Sequence, residues 1–423
     1  MQNDKIIPKK ACLISLGCKV SKYEIDCMAN ILKDAGWEVT LQHEPADLYI
    51  VNTCAVTNEG EKKSRQYISK LSSLNPNAKI IVCGCASENN IDQFKKPNVV
   101  SIIGNEGKEN ILDLIDNPRF EKYPFYPKYN KDVKNPFKSQ TRAYLKIQDG
   151  CNNFCSYCLI PYVRGRSRSR EFEDIMKEAE VLSQSNSEIV LTGIDMSSFK
   201  IDNELGLGKL VYAMHNLPAR IRIGSLEVNV ITSQFLEYLK LTPNFCPQFH
   251  LSLQSGSDTV LKRMNRHYTK TEYLEKVNLI KQYFPLANIT TDVIVGFAGE
   301  TDEEFEETCD TCIKAGFGNM HIFPYSKRKG TIAYNLPVPN GNIVKARIKK
   351  LEEIRTQLCN SYFQLITGKT FELLVEEKED EYFTGYTENY VKVYTKDNLE
   401  INKFYKVKML EPFKQGMLVE VVK

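Results

Sequence analysis

Short apolar runs alternate with helically periodic segments over the first part of the chain. Four runs predict strands, namely Ala11–Leu16, Asp47–Val51, Lys79–Val82 and Val99–Ile103. Amphipathic segments with apolar side chains at helical spacing, such as Ser64–Leu74, follow these runs. Strands that alternate with helices imply a parallel sheet covered by helices. We therefore predict an open parallel α/β domain over residues 9–118.

Residues 119–140 break this pattern. Pro124, Pro127 and Pro136, with Pro118 just before them, lie among many lysines, and no apolar period is present. Polar, proline-rich stretches of this kind connect domains. The segment is predicted to be an interdomain linker.

The alternation restarts at Arg142 and continues for six strand–helix units. The predicted strands are Ala143–Ile147, Glu188–Thr192, Ile221–Leu226, Phe249–Leu253, Thr291–Val295 and Met320–Phe323. The predicted helices are Phe172–Leu182, Leu207–Met214, Ser233–Leu241, Thr271–Tyr283 and Glu303–Ala315. Six units are too few for a closed eight-stranded barrel, so residues 141–365 are predicted to form an open, partial (β/α)6 barrel.

The last part of the chain shows a third pattern of apolar and polar residues. A charged helix is predicted around Val344–Thr367, and short alternating runs follow it, namely Phe371–Val375, Tyr390–Tyr394, Phe404–Met409 and Met417–Val422. Turn residues separate these runs. Residues 366–423 are therefore predicted to form a small β-barrel.

Composition narrows the possible functions. The net charge of the 423 residues is only +3, so nucleic acid would be bound through local patches rather than a bulk positive field. No apolar stretch reaches the ~20 residues of a membrane span, and the first residues do not resemble a signal peptide. A cytoplasmic protein without a membrane partner is expected. Because thiols stay reduced in the cytoplasm, the 13 cysteines are expected to be metal ligands or buried apolar residues rather than a disulfide framework.

Cys151, Cys155 and Cys158 lie within eight residues of one another, just after the first strand of the predicted barrel. Three thiolates on one loop can hold three irons of a cubane cluster and leave the fourth iron open to a substrate. The alternative is part of a zinc site. That site needs a fourth ligand, and the histidines lie far away in sequence, at His43, His215, His250, His267 and His321.

Three other cysteines each follow a predicted strand of the first domain, namely Cys18, Cys54 and Cys85. Open parallel sheets bind ligands at the carboxyl ends of their strands, so these thiols are expected to converge on a second cluster. The alternative is three unrelated small residues packed in tight turns. Cys83 is an alternative to Cys85 as the third ligand. Cys85 is preferred because it lies further beyond the strand and follows a glycine, which permits a turn. Cys309 and Cys312 resemble a redox pair but lie within a predicted helix.

The C-x-x-x-C-x-x-C pattern resembles that of the radical-SAM superfamily, and two cysteine trios together resemble the methylthiotransferases. The matching segments are Leu16–Glu24, Val51–Thr57, Gln148–Cys158, His250–Gly256 and Val293–Thr301. The resemblance covers essentially the whole chain and implies a methylthiotransferase domain, a radical-SAM barrel and a TRAM domain. Residues 17–24 are most similar to the MtaB branch, which acts on N6-threonylcarbamoyladenosine in the tRNA anticodon loop. The sequence departs from that branch at Ser21, Lys22 and Ala298.

The resemblance implies a chemistry with two 4Fe-4S clusters and two molecules of S-adenosylmethionine. The open iron of the barrel cluster would chelate one molecule, and one electron from a flavodoxin- or ferredoxin-like donor would yield a 5′-deoxyadenosyl radical. The second cluster would hold the sulfur that is methylated and joined to C2 of the adenine. The sulfur donor is not implied by the resemblance.

Two further sets of residues are candidates for binding. For the cofactor they are Tyr157, Gly193, Ser225, Glu227, Gln254, Gly296 and Glu300, with a structural role as the alternative for the last three. For tRNA phosphates they are Arg164, Arg166, Arg168, Arg170, Lys392, Lys403 and Lys406, with a solvated surface as the alternative for the arginines. The many aromatic residues after residue 370 either stack on exposed bases or pack in the core of the last domain.

Three rival functions remain open on these residues. Two keep the chemistry and change the substrate to N6-isopentenyladenosine in tRNA or to an aspartate of a ribosomal protein. The third is a zinc-stabilised RNA-binding protein without catalytic activity.

Overall fold

The computed structural model describes residues 9–128 and 141–422. The first domain contains β1 (Lys10–Ser15), α1 (Lys19–Asp34), β2 (Glu38–Thr40), β3 (Leu48–Thr53), α2 (Asn58–Leu74), β4 (Lys79–Gly84), α3 (Cys85–Asn89), β5 (Val99–Ile102) and α4 (Asp113–Asp116). Its sheet has the order β2-β1-β3-β4-β5, and every pair of neighbouring strands is parallel. The predicted open parallel α/β domain is confirmed. The sequence pattern missed only the three-residue strand β2 among the strands of this sheet.

The described part of the predicted linker packs against both neighbouring domains. Phe120 forms an isolated parallel bridge with Ile102, and the ring of Phe125 lies over Gly165 of the second domain. The carbonyl oxygen of Tyr126 accepts a hydrogen bond from Arg168 Nη1 at 2.9 Å. Residues 119–128 are therefore a strap along the domain interface, and residues 129–140 of the predicted linker lie outside the described residues.

The second domain is the predicted partial barrel. Its elements are β6 (Arg142–Lys146), β7 (Gln148–Asp149), α5 (Ile160–Arg164), β8 (Arg168–Ser169), α6 (Phe172–Ser183), β9 (Glu188–Thr192), β10 (Lys200–Ile201), β11 (Glu204–Leu205), α7 (Leu207–Ala213), β12 (Arg220–Ile223), β13 (Ser225–Leu226), α8 (Ser233–Lys240), β14 (Gln248–Leu251), α9 (Asp258–Arg263), α10 (Lys270–Tyr283), β15 (Asn288–Val295), α11 (Asp302–Ala315) and β16 (Asn319–Pro324). The apolar residues of the strands face these helices in one large core.

The third barrel strand is interrupted at Gly224. Its first half, β12, pairs with β9, which in turn pairs with β6. Its second half, β13, begins the parallel series β13-β14-β15-β16. The two hydrogen-bonded sheets thus share one bent strand, and six strand positions curve around an open interior.

The long helix α12 (Gly341–Ile366) leads from the barrel into the last domain. There, β17 (Thr370–Glu379), β18 (Tyr382–Thr387), β19 (Lys392–Thr395), β20 (Phe404–Phe413) and β21 (Gly416–Val421) close into a barrel of order β17-β18-β19-β21-β20. The predicted small β-barrel is confirmed. The sequence pattern missed β18, in which Gly385 is required because the backbone of Leu374 passes directly against it. Within the described ranges, no helix is long and apolar enough to span a bilayer.

Candidate metal centre and cofactor cleft

The strand order of the first domain places a crevice where two thiols were predicted. The order reverses between β1 and β3, because β2 lies outside β1 while β4 and β5 lie beyond β3. Such a reversal leaves an open crevice at the carboxyl ends of the strands. Cys18 follows β1 and Cys54 follows β3, so the two cysteines flank this crevice. Cys85 follows the next strand, β4, at the same edge.

The thiols of this first trio lie close enough to affect one another. Burial raises the pKa of Cys54 to about 11, and Cys85 and Cys18 both contribute to the increase. Cys83 lies elsewhere, since its side chain packs in the core on the opposite face of the sheet. Gly84 makes the turn between Cys83 and Cys85, with a φ of +105° that side chains rarely adopt.

The second trio is held on the loop after β7. Each of its sulfurs accepts a hydrogen bond from nitrogen: Cys151 from the backbone of Asn153 at 3.4 Å, Cys158 from the backbone of Ile160 at 3.4 Å, and Cys155 from Arg266 Nη1 at 3.5 Å. Hydrogen bonds to sulfur stabilise thiolates and tune the metal that they bind. Burial raises the pKa of Cys151 and of Cys158 to about 12, so bound metal would have to displace protons from both.

The two trios meet across the domain interface. Burial and then Cys155 are the main causes that raise the pKa of Cys158, and Cys85 of the other trio contributes as well. Arg164, at the end of α5 in the second domain, donates from Nε to Cys85 Sγ at 3.2 Å. The side chain of Arg164 is buried, so the structure places a permanent cation beside a thiol of the first trio.

A buried ion-pair network supports this contact. Glu24 of α1 pairs with Arg164 at 2.7 Å, Lys108 at 2.5 Å and Lys146 at 3.2 Å. Burial alone would raise the pKa of Glu24, but the three cations hold it well below its ordinary value. Asp149 pairs with Lys146 at 2.6 Å and with Arg164 at 3.3 Å. The network joins the first domain to the barrel directly beneath the cysteines.

The donor set fits iron–sulfur clusters better than single zinc ions. A zinc ion binds sulfur at about 2.3 Å, which brings its ligands within about 4 Å of one another. Across residues 9–128 and 141–422, the one group of three potential ligands within 4.8 Å is His250, Asp292 and His321. Neither cysteine trio is that compact. A cubane instead takes one thiolate on each of several separate irons, and the N–H donors around the sulfurs suit its negative charge.

A cleft of ≈ 210 Å³ opens beside the second trio. Cys155, Asp195, Glu227 and Arg266 line it. Glu227 pairs with Arg266, and Asp195 Oδ2 lies 3.3 Å from Asn153 Nδ2. Burial and then Glu227 raise the pKa of Asp195 to about 6. Among the described residues, no donor reaches the buried Asp195 Oδ1, so the cleft offers an unused acceptor to a polar ligand.

Comparison with known proteins agrees with this geometry. Residues 145–312 match the Radical SAM superfamily, and residues 10–104 match the Uncharacterized protein family UPF0004. The sequence is 38% identical to the threonylcarbamoyladenosine tRNA methylthiotransferase MtaB of Bacillus subtilis, covering 96% of each chain. This chain belongs to the radical-SAM methylthiotransferase family.

Other members and one solved structure extend the comparison. The chain is 36% identical to the MtaB protein of Chlamydia pneumoniae over 97% of each chain. It is 33% identical to the tRNA-2-methylthio-N(6)-dimethylallyladenosine synthase of Thermoanaerobacter sp., over 96% of this chain and 92% of that one. The radical S-adenosylmethionine methyltransferase TsrM from Kitasatospora setae superposes with a TM-score of 0.58 at 14% identity, over 78% of this chain and 77% of that one. That last likeness concerns the fold alone.

Two of the predicted cofactor residues border the cleft beside the cysteines. Glu227 lines it, and Gly193 comes shortly before Asp195, which also lines it. Gln148 Oε1 accepts hydrogen bonds there from the backbone of Ile194 at 3.0 Å and of Asp195 at 2.8 Å. Ser225 is exposed two residues before Glu227. Sequence reasoning missed Asp195 and Arg266. For Asp195 the available signal was its position two residues after Gly193, at the end of a strand.

The other predicted cofactor residues do not line this cleft. The ring of Tyr157 packs edge-on against Phe297, and Gln254 adopts a left-handed backbone with a φ of +64°. Glu300 accepts a hydrogen bond from the backbone of Gly296 at 2.8 Å and pairs with Arg347 of α12 at 2.6 Å. Gly296 lines a separate cavity of ≈ 390 Å³. The structure therefore assigns Glu300 a structural contact and does not bring it to the cysteine trios.

The arginine run after the cysteine loop needs correction. Arg164 and Arg170 are buried, and Arg168 is largely buried in an ion pair with Glu106 at 2.7 Å. Arg170 pairs with Glu178 at 2.5 Å. These three side chains hold the domain interface and do not face solvent, contrary to the predicted phosphate contacts. Arg166 is exposed and lies over the ring of Phe154.

The last domain exposes two of the three lysines that were predicted to contact RNA. Lys403 and Lys406 are exposed, whereas Lys392 pairs with Glu379 at 2.5 Å. The stacked rings of Tyr386 and Tyr390 lie under Arg142 of the barrel and therefore face that domain.

Sequence reasoning missed a more compact combination of aromatic rings and a cation. Lys414 lies 5.4–5.5 Å from the rings of Tyr382, Tyr394 and Phe413. Tyr394 is buried, so of these three rings those of Tyr382 and Phe413 are available to stack on a single-stranded base beside the cation.

Proposed function

We propose that this chain catalyses the methylthiolation of N6-threonylcarbamoyladenosine at position 37 of tRNA, giving 2-methylthio-N6-threonylcarbamoyladenosine. The reaction would use two molecules of S-adenosylmethionine, two 4Fe-4S clusters and a flavodoxin- or ferredoxin-like electron donor. When bound, these groups supply the radical chemistry and the sulfur.

One observation carries the proposal. Two trios of cysteines, from two domains, lie at one interface, because Arg164 of the helix that follows Cys158 donates to Cys85 Sγ at 3.2 Å. A substrate base held between the domains can thus reach both. A zinc-stabilised binding protein has no need for two such trios facing one another.

The chain's own residues position the reacting groups. Arg164 holds Cys85, and Arg266 holds both Cys155 and Glu227, so each trio has a buried guanidinium that fixes one of its thiols. Asp195 and Glu227 offer carboxylates to the amino and hydroxyl groups of a nucleoside cofactor.

The choice of substrate is supported by the relatives. Four proteins named threonylcarbamoyladenosine tRNA methylthiotransferase MtaB share 34–38% identity with the chain. Four named tRNA-2-methylthio-N(6)-dimethylallyladenosine synthase share 32–34%. The difference is small, so the substrate requires a direct test.

Mass spectrometry of tRNA nucleosides from cells that lack the protein provides that test. Loss of 2-methylthio-N6-threonylcarbamoyladenosine, restored by the wild-type gene, is expected. Loss of the methylthio derivative of isopentenyladenosine instead would contradict the proposal.

Reconstituted protein separates the enzyme from the binding protein. We expect about eight irons per chain, corresponding to two cubanes. Cys151→Ala should abolish 5′-deoxyadenosine formation, whereas Cys18→Ala should leave part of it and stop sulfur insertion. Stoichiometric zinc without iron would refute the enzyme assignment.

A further inference from the structure

Three side chains of the kinds that bind divalent metals meet on the inner strands of the barrel. His250, Asp292 and His321 lie on the neighbouring strands β14, β15 and β16. One nitrogen or oxygen atom of each lies within 4.8 Å of the corresponding atoms of the other two. Among the residues that the structure describes, no other three potential ligands come this close. The chemistry proposed for the cysteine trios gives this group no role.

The register of the strands explains why the three side chains meet. Asp292 is the direct neighbour of His321 across the parallel pair β15 and β16. His250 is aligned with Thr290, which lies two residues before Asp292 and therefore on the same face of β15. The next residue after His250, Leu251, belongs instead to the core that the strands form with the helices. The backbone thus holds all three ligands on one face of regular strands.

The distances suit a single metal ion. A zinc ion binds histidine nitrogen and carboxylate oxygen at about 2.0–2.2 Å, so its tetrahedral ligands lie about 3.3–3.5 Å apart. His250 Nε2 and Asp292 Oδ2 already lie 3.2 Å apart. The nitrogen of His321 has to approach by no more than about 1.5 Å to complete the set. His321 is exposed, so its ring is free to make this small adjustment.

A second layer of contacts orients His250 as a ligand. Its Nδ1 lies 2.9 Å from Thr290 Oγ1, which leaves Nε2 as the nitrogen that faces Asp292. Thr290 Oγ1 is itself held by a hydrogen bond from Gln248 Nε2 at 3.2 Å. Histidine ligands use one ring nitrogen for the metal and form a hydrogen bond with the other, which fixes the orientation of the ring. Thr290 supplies that partner here.

We propose that His250, Asp292 and His321 bind a divalent transition metal ion of the zinc and iron(II) class, at a site that uses none of the cysteines. Two imidazoles and one carboxylate suit such ions, whereas Mg²⁺ and Ca²⁺ prefer oxygen ligands. Three protein ligands leave at least one coordination position for water or for an oxygen atom of a bound molecule. The exposed side chain of His321 gives the ion a path from solvent.

The competing arrangement is a hydrogen-bonded pair of histidine and carboxylate without metal. In that state His250 Nε2–H donates to Asp292, and the hydroxyl of Thr290 donates to Nδ1. When metal takes the place of the Nε2 proton, the ring becomes its Nδ1–H tautomer and donates to Thr290 Oγ1 instead. The pair needs only His250 and Asp292, whereas the metal also needs His321. A substitution at His321 therefore separates the two arrangements.

Zinc binding to protein reconstituted with iron and sulfide tests the site. Equilibrium dialysis with elemental analysis should find about one zinc ion per chain in addition to the cluster iron. Thr290→Val removes the outer partner of His250 and should weaken zinc binding by about 10–100-fold, and loss of a ligand in His321→Ala or Asp292→Asn should weaken it further. His215→Ala is the matched control, because His215 Nδ1 lies 2.8 Å from the carbonyl oxygen of Tyr212 and the residue belongs to no such group in the described ranges.

Each other outcome contradicts the proposal. Zinc that binds equally well to the wild type and to His321→Ala occupies other groups, such as free thiols. A wild-type protein that takes up no zinc at micromolar free concentration holds only the hydrogen-bonded pair. Zinc displaced by millimolar Mg²⁺ contradicts the choice of a transition metal. Iron content, measured in the same samples, shows whether each variant still folds and keeps its clusters, so the result does not depend on the proposed function.

Discussion

Replacing Glu24 by glutamine gives a direct measure of the charge network that joins the two domains under the cysteines. The wild-type network links four cations to three carboxylates, namely Lys108, Lys146, Arg164 and Arg168 with Glu24, Asp149 and Glu106. Glu24→Gln leaves four cations with two carboxylates and removes three ion pairs at once. Breaking buried pairs in this way costs about 3–5 kcal/mol.

The partner substitution should cost less. Arg164→Met leaves three cations with three carboxylates, and Glu24 keeps Lys108 and Lys146 as partners. No carboxylate is left without a cation, so the loss should fall below that of Glu24→Gln. The surface variant Glu306→Gln is the control, because its pair with Lys350 is about half exposed and such pairs contribute less than about 1 kcal/mol.

Urea denaturation at pH 7.5, followed by circular dichroism on protein without iron, measures these differences. Three domains need not unfold together, so the first transition is the relevant one. The expected order of destabilisation is Glu24→Gln, then Arg164→Met, then Glu306→Gln. If Glu24→Gln costs no more than Glu306→Gln, or if Arg164→Met costs more than Glu24→Gln, the charge count is not what stabilises the interface.

Three further predictions concern single residues. Burial raises the pKa of Asp26 from 3.8 to about 7, so the folded protein loses stability as the pH rises from about 4 through 7. Asp26→Asn should therefore raise the urea midpoint at pH 8 and leave it nearly unchanged at pH 4. An equal effect at both pH values would show that burial does not suppress the ionisation of Asp26. Cys85→Ala should lower the iron content by about half, whereas Cys83→Ala should not, because Cys83 packs in the core; the reverse result would exchange their roles. Lys414→Glu should weaken tRNA binding and reduce the slope of log affinity against log salt by about one; unchanged affinity in a filter-binding titration would remove this surface from the interface.

The elements that the sequence predicted are those set by local periodicity. The strands before Cys18, Cys54 and Cys85 are short apolar runs that the local sequence identifies. A parallel sheet brings the carboxyl ends of its strands to one edge, so the shared position of the three cysteines follows without any knowledge of distant contacts. The strands that escaped prediction lack this signal. β2 spans three residues, and β18 contains Gly385 and two threonines in place of an apolar alternation.

The side-chain partners could not be predicted in the same way. The arginines at alternate positions after the cysteine loop look like a solvated basic strip, because nothing nearby in the sequence identifies the acids that pair with Arg164 and Arg168. The acid beside Arg164 is Glu24, 140 residues earlier, and the acid beside Arg168 is Glu106. Only the docking of the two domains turns those arginines from a surface into an interface.

That docking also explains how two trios from separate domains become one site. Glu24 binds Arg164, and Arg164 binds Cys85, so buried contacts fix the position of the first trio relative to the helix that follows Cys158. Because removing one partner from such a buried network costs several kcal/mol, a substitution at Glu24 or Arg164 should disturb both trios and not the first alone.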